Sequence, residues 1–317
     1  MEQETALEHE ARSLQPPPGR AFTSGTFFDR TFKYWAILPM VLVLFFLTLQ
    51  PAAELLRMSV SDVEFVGGQL QWTFVGLDNF NALASDPVAP AAFRNTLIFV
   101  VVVVIVETAL GLALALAVSR VIRFTRFYRA VFMVPILIPP VAIGVIWRLM
   151  YDYNYGIINQ LLALIGISGP VWTGDPNLAL ISVMIVDVWH WTSFLFLILL
   201  AGVESLPQEL IEAARVDGAS ETQIYRHVLL PLLRPTIIVA LMLRTILAFK
   251  VFDQIFLLTN GGPGTATQVI SLHIYKVFFE QFRLGYGALL ALITALIVSI
   301  FVVFYQWLNT LARRDMA

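Results

Sequence analysis

Long apolar runs constrain this chain more than any other feature. They extend over Trp35 to Leu56, Thr96 to Val118, Ala130 to Met150, Leu178 to Val203, Leu233 to Leu258 and Gly287 to Leu311. A helix needs about 20 apolar residues to cross about 30 Å of hydrocarbon, and each run is that long. Inside lipid every backbone amide must find its partner within its own segment or in a closed barrel. Runs of this length fit helices and not ten-residue alternating strands. An all-α membrane protein with six transmembrane helices follows, and 58% hydrophobic content with a mean hydropathy of +0.79 excludes a water-soluble globule.

Residues 1–26 read differently. Glu2, Glu4, Glu8 and Glu10 with Pro16, Pro17 and Pro18 bury too little surface to offset chain entropy, so a disordered leader is expected ahead of a membrane domain at 27–317. The first apolar run is too long for a signal-peptide core and reads as a retained span. Basic residues in short loops stay on the cytoplasmic side. Arg20, Arg30, Lys33, Arg120, Arg123, Arg126, Arg129, Arg215, Arg226, Arg234, Arg313 and Arg314 fall on one side of the six spans. Arg57, Arg94, Arg148, Lys276 and Arg283 fall on the other. Both termini and the leader are therefore expected in the cytoplasm, which the even number of crossings allows.

Other chemistries lack their residues. A net charge of −2 provides no field for nucleic acid, and the absence of cysteine removes disulfides, thiolate metal sites and a cysteine nucleophile. His9, His190, His227 and His273 share no metal-ligand spacing, so no metal site is expected. None of Lys33, Lys250 and Lys276 stands in a phosphate-binding G-x-x-x-x-G-K-[ST] loop. No catalytic group and no cofactor bound by the chain itself is expected, since paired carboxylates and Ser/His dyads are missing at a useful spacing.

Within the spans, Gly111 and Ala115, and separately Ala109, Ala113 and Ala117, form small-residue stripes that permit close helix approach, inside the bundle or against another subunit. Pro135, Pro139 and Pro140 should break or kink the third span. Between Glu204 and Pro231 two capping signatures recur, Ser205 with Gln208 and Ser220 with Gln223, and Asp217-Gly218 offers a stop between them. The reading is helix, tight turn, helix, too short and polar to cross a bilayer, placed at the cytoplasmic face to dock a partner or to rest on lipid headgroups.

Glu212-Ala213-Ala214, three residues, Gly218, nine residues, then Val228-x-Leu230-Pro231 resembles the EAA loop of permeases from binding-protein-dependent ABC importers. Val228 stands where that family usually has Ile. Val75 to Phe80, Tyr155 to Asn159 and Leu258 to Pro263 resemble stretches of the carbohydrate branch, so the resemblance covers the chain from about Trp35 onward. It implies a bacterial inner-membrane permease for a sugar or related solute. It also implies a second homologous permease, two ATPase subunits that hold ATP and magnesium, and an extracytoplasmic solute-binding protein. Glu212, Ala213, Ala214, Asp217, Gly218, Val228, Leu230 and Pro231 would then form the coupling element that the ATPase grips.

Charges at mid-bilayer are costly and usually face protein or a wet cavity; Glu107, Asp187, Arg244, Lys250 and Asp253 are of this kind. Asp187, His190, Trp191 and Phe194 recur at helical spacing as one polar-aromatic face, with Trp189 on a neighbouring face. Such a surface suits a sugar, and equally suits bundle packing. Lys250 with Asp253 and Gln254 at i+3 and i+4 reads as an intrahelical ion pair, or as part of the pathway. Arg244 could hydrogen-bond a hydroxyl or an anionic substituent. Asp187, Trp189, His190, Trp191, Arg244, Lys250, Asp253 and Gln254 are thus the candidate pathway residues. A stand-alone secondary transporter or channel is the rival class, and the Glu212 to Pro231 loop, for which a carrier has no evident need, separates the two.

Overall fold

The computed structural model describes residues 27–119 and 125–314, so the leader expected at 1–26 lies outside the described residues. The chain divides into two compact units, one ending at Glu54 and the other running from Leu55 to Ala317. Helix α1 (Phe27–Ser59) supplies everything described in the first unit, and its apolar side chains from Trp35 to Leu49 are exposed.

The second unit opens with two elements absent from the expected plan. A hairpin of β1 (Ser61–Val66) and β2 (Gln69–Phe74) pairs Val66 with Gln69 across Gly67-Gly68. Both glycines take positive φ, 61° and 81°, as a two-residue hairpin turn demands. A short helix α2 (Asp78–Ser85) follows.

Helix α3 (Ala89–Ser119) contains Val100 to Val104, a β-branched run that in water would favour a strand; with no competing hydrogen-bond partner in lipid, the helix wins. It packs along α7 (Ala179–Glu204), and here the two stripes of small residues part company. Gly111 and Ala115 are buried against α7, where a Cβ on Gly111 would sit 3.0 Å from the Phe196 amide nitrogen. Ala109, Ala113 and Ala117 face outward. Helix α10 (Leu230–Phe249) packs on α3 and α7, and α13 (Leu284–Arg314) packs on α10.

Among the described residues five helices are long and apolar enough to cross a membrane, and a bent pair makes a sixth if it is counted as one span. That pair is α4 (Thr125–Leu137) and α5 (Pro140–Met150), which meet at 91°. Proline breaks the ladder as expected, but the angle corrects a continuous span at 130–150: the 11 residues of α5 extend only about 17 Å. After α5 comes the short helix α6 (Ile157–Leu164).

The fifth span, expected at 233–258, is also corrected. It begins at α9 (Glu221–Ile224) and continues through a widened π turn (Tyr225–Leu229) into α10. Pro231 has no amide to donate and its ring crowds the preceding turn. The wider turn accommodates it, with Leu230 N–H donating to the Tyr225 carbonyl. The helix then ends at Phe249, and α11 (Asp253–Leu258) is a separate element.

Side-chain clasps mark the two ends of the second unit. At one end Asn95 Nδ2 donates to the carbonyls of Thr265, Ala266 and Gln268 at 2.8, 3.2 and 3.1 Å, holding the loop ahead of α12 (Ile270–Tyr275). Nearby, Asp86 accepts from Tyr286 Oη at 2.6 Å and pairs with His273 Nε2 at 2.8 Å. Burial raises the Asp86 pKa, but hydrogen bonds from Tyr286, the Val88 amide and His273 outweigh it and hold the carboxyl below its ordinary value. At the opposite end Arg129 pairs with Glu204, joining the start of α4 to the end of α7.

Candidate functional site: a buried charge triad, a cleft and an exposed helical turn

Glu107 on α3, Asp187 on α7 and Arg244 on α10 converge at the centre of the bundle with 0%, 1% and 1% of their side-chain surface exposed. Arg244 donates through Nε and Nη2 to Glu107, the Nη2 contact to Oε1 being 3.0 Å, and also through Nη2 to Asp187 Oδ2. Its guanidinium lies 5.0 Å from the Trp191 ring centroid, a cation–π contact. A lone charge here would cost several kcal/mol, and the triad removes that cost by surrounding one cation with two carboxylates. Arg244 is therefore spent on protein partners. Sequence reasoning singled out Glu107 as a mid-membrane charge but did not join it to the site; a lone acid in a long apolar span was the signal that it needed a partner.

Beside the triad lies a cleft of about 200 Å³ bordered by Asp187, Trp191, Lys250, Phe252, Asp253 and Gln254. It exists because the helix stops: Lys250 and Phe252 leave helical geometry, at φ −93° and −140°, and the chain re-enters a helix at Asp253. The break corrects the expected i+3 pair. Among the ion pairs of the described residues none joins Lys250 to Asp253, and both side chains are exposed. Gln254 is 3% exposed and its Nε2 lies 3.3 Å from His190 Nδ1, so α11 is stitched to α7. Among the described residues, Asp187 Oδ1 and Gln254 Oε1 remain buried without a hydrogen-bond partner.

Six of the eight candidate pathway residues thus border this cleft or its triad, and His190 stands directly behind Gln254. Trp189 does not join them. It points to the other side of α7, with its ring 5.7 Å from Trp147, and lines a separate apolar groove of about 970 Å³ between α3 and α7. Among the described residues no group of three or more His, Cys, Asp or Glu side chains is placed to hold a metal ion.

At the Glu204 end of the bundle, α8 (Gln208–Val216), Gly218 and α9 form the expected helix, turn and helix. Gly218 takes φ 82°, the left-handed conformation that ends α8. Ser220 and Gln223 close a capping box, with the Ser220 amide donating to Gln223 Oε1 at 2.7 Å. The matching box at Ser205 does not form: the Ser205 hydroxyl donates to the Gly202 carbonyl at 2.7 Å, and Pro207 stands at the N-cap without a side-chain bond. No residue of α8 is buried. Glu212 and Ala213 are open to the surroundings, Val216 is 88% exposed, and Arg215 pairs with Glu221 across the turn at 3.1 Å.

A bundle of spanning helices with a polar cleft at its centre and a protruding helical turn at one end is the architecture of a membrane permease. The chain belongs to the family described as binding-protein-dependent transport system inner membrane component, whose model matches residues 107–314. That stretch holds the triad, the cleft and the exposed turn together. The chain is 37% identical over 283 residues to the trehalose/maltose transport system permease protein of Thermococcus litoralis, covering 89% of this chain and 94% of the relative. It is 31% identical over 265 residues to the sulfoquinovosyl glycerol transport system permease protein of Agrobacterium fabrum, covering 84% and 86%. Among solved structures, a chain of the bacterial alginate ABC transporter in complex with its alginate pentasaccharide-bound periplasmic protein superposes with a TM-score of 0.77 at 23% identity. That match covers 91% of this chain and 96% of the other, and it establishes the common fold.

Proposed function

We propose that this chain forms half of the translocation pathway of an ATP-driven importer for a sugar or sugar-derived solute. A second homologous permease completes the pathway and two ATP-binding subunits hold ATP and magnesium. An extracytoplasmic binding protein delivers the solute. The chain itself carries no catalytic group and lies in the bacterial inner membrane, with both termini and the α8–α9 turn on the cytoplasmic side, a reading that the twelve-to-five division of basic residues supports. Membership of a binding-protein-dependent family supports the receptor, and relatives serving trehalose/maltose and sulfoquinovosyl glycerol systems support the sugar class.

One observation carries the coupling role: α8 is a folded helix with no buried residue, ended by the turn at Gly218 that leads into the capped start of α9. It presents Glu212, Ala213 and Ala214 on a surface that a partner can cover. The adjoining rod from Glu221 to Phe249 is helical throughout, so a displacement of the turn is carried about 35 Å to Arg244, which is tied to α3 and α7. Asp217 and Gly218 set the bend, and Val228, Leu230 and Pro231 shape the π turn where bend becomes rod.

The test is assembly and turnover. Cysteines placed at Glu212 or Ala213 are expected to cross-link to the ATPase subunit of the purified complex, and Gly218→Pro is expected to abolish solute-dependent ATP turnover while the complex still assembles. Solute movement by this chain alone, without ATPase, would overturn the reading in favour of a stand-alone carrier or channel.

A further inference from the structure

The stretch between α5 and α7 has its polarity turned inside out. Asn159 of α6 is 8% exposed; its Nδ2 donates to the Tyr153 and Pro170 carbonyls, each at 3.3 Å, and its Oδ1 accepts from Trp172 Nε1 at 2.7 Å. Ser182, in the first turn of α7, donates to the Trp172 carbonyl at 2.8 Å, and Tyr151 Oη donates to the Ser182 carbonyl at 3.1 Å. Gly166 closes α6 with φ 78°: its amide donates to the Ala163 carbonyl and the Ile167 amide to the Leu162 carbonyl, both at 3.0 Å. The segment is thus fastened to the end of the bundle opposite α8. Its apolar side chains point outward instead. Leu164 is 81% and Ile165 71% exposed, and Ile157, Leu161 and Ile167 are exposed as well. Residues 153–174 include no Asp, Glu, Lys, Arg or His, whereas the two other stretches at this end carry Asp62, Glu64 and Asp78, and Lys276, Glu280 and Arg283.

We infer that α6 and the turn after it lie in the lipid interface of the leaflet opposite the α8–α9 turn, with Leu161, Leu164, Ile165 and Ile167 against acyl chains and the exposed Tyr153 and Tyr155 at headgroup level. The level is set by α7. Its 26 residues extend about 39 Å, more than the roughly 30 Å of hydrocarbon, so its first turn reaches the headgroups, and Ser182 in that turn holds the segment there. The surface also continues one that already faces lipid. Gly156, where α6 begins, sits so close to the end of α5 that a Cβ on it would fall 2.5 Å from the Met150 carbonyl oxygen, and the exposed Val145 and Leu149 of α5 lead directly into Ile157. In water such an apolar patch is a liability. A binding protein that docks and departs meets surfaces about as polar as the rest of a protein, and this one has no charge to offer. Lipid needs only apolar contact and backbone groups satisfied within the turn, and α6 supplies both. The placement holds whatever solute the importer carries.

The experiment uses the absence of cysteine from the chain. Leu164→Cys and Ile165→Cys are spin-labelled one at a time in the assembled complex, with cysteine-free partner subunits, in vesicles of phosphatidylethanolamine and phosphatidylglycerol. Leu296→Cys on the exposed face of α13 is the lipid reference and Glu64→Cys on β1 the water reference. Collision with oxygen, which concentrates in lipid, is compared with collision with a water-soluble nickel chelate. The oxygen-to-nickel ratio at both positions is expected to exceed that at Glu64→Cys by roughly threefold or more, to approach that at Leu296→Cys, and to stay the same when binding protein is added. A ratio equal to that at Glu64→Cys would overturn the inference by placing the segment in water. Weak collision with both reagents would overturn it in favour of a second membrane subunit, and a ratio that changes on adding binding protein in favour of that protein. Ile167→Cys gives the same decision if either variant does not assemble.

Discussion

The triad and the α8–α9 turn are both dense in charge, yet the charges of one are enclosed and those of the other are exposed. Glu107, Asp187 and Arg244 have no more than 1% of their side chains exposed and pair with one another, whereas in the Arg215–Glu221 pair the side chains are 56% and 50% exposed. Burial decides what each can be for. An enclosed charge cluster holds three helices in register, because losing one member strands the others. An open one contributes little to its own stability, since exposed pairs are worth about 0–1 kcal/mol, and so is free to be covered by a partner.

The comparison breaks first, if it is wrong, at Arg244. Arg244→Ala leaves two carboxylates facing each other in the bundle and is expected to destabilise the protein by about 3–5 kcal/mol, read as lost thermal stability and lost assembly in detergent. A variant as stable as the wild type would mean that the triad is wetter than its burial implies. Glu212→Ala is the counterpart on the open side. Its fold stability is expected to stay within about 0.5 kcal/mol of wild type. On the coupling role proposed for the turn, losing a charge pair with the partner is expected to cost about 2–5 kcal/mol of coupling, seen as at least a tenfold drop in solute-stimulated ATP turnover. Normal stimulation would remove the loop from the coupling path.

The same inside–outside contrast is sharpened on α3 itself. Gly111→Val forces a side chain against the Leu195–Phe196 backbone and is expected to cost about 1–3 kcal/mol. Ala113→Val, on the outward stripe, is expected to change melting little. Equal losses would show that the outward stripe is also an interface. The smallest loss expected of a paired buried group is at Asp86. Its carboxyl titrates below the ordinary value in the folded protein, so its contribution is present above about pH 3.8 and fades as pH falls through the lowered folded value. Asp86→Asn is expected to lose about 1–2 kcal/mol at neutral pH and to remove that part of the acid sensitivity, measurable by melting between pH 3 and 7.

Local signals legible in the chain concern single segments. Apolar length found five spans and the region of the sixth, the prolines found the break between α4 and α5, and Gly218 with Ser220 found the turn. Ser205 offered the same capping letters as Ser220 and failed, because Pro207 reset where α8 begins and the hydroxyl turned back to the Gly202 carbonyl. The hairpin at Ser61–Phe74 lies in the 57–94 stretch that reads as a loop by its length and polarity, although Gly67-Gly68 between alternating apolar residues is a turn signal.

The sequence by itself determined that this chain lies in a membrane and that a capped turn stands outside the apolar spans. Those properties follow from length, hydropathy and short-range hydrogen bonding, which neighbouring residues settle among themselves. Only the tertiary structure decided that Arg244 belongs to Glu107 and Asp187, that Trp189 turns away from Trp191, and that the fifth span ends at Phe249 to open a cleft. Residues 57 and 137 positions apart meet only when three helices have packed, and no local pattern specifies which of several buried charges will be neighbours.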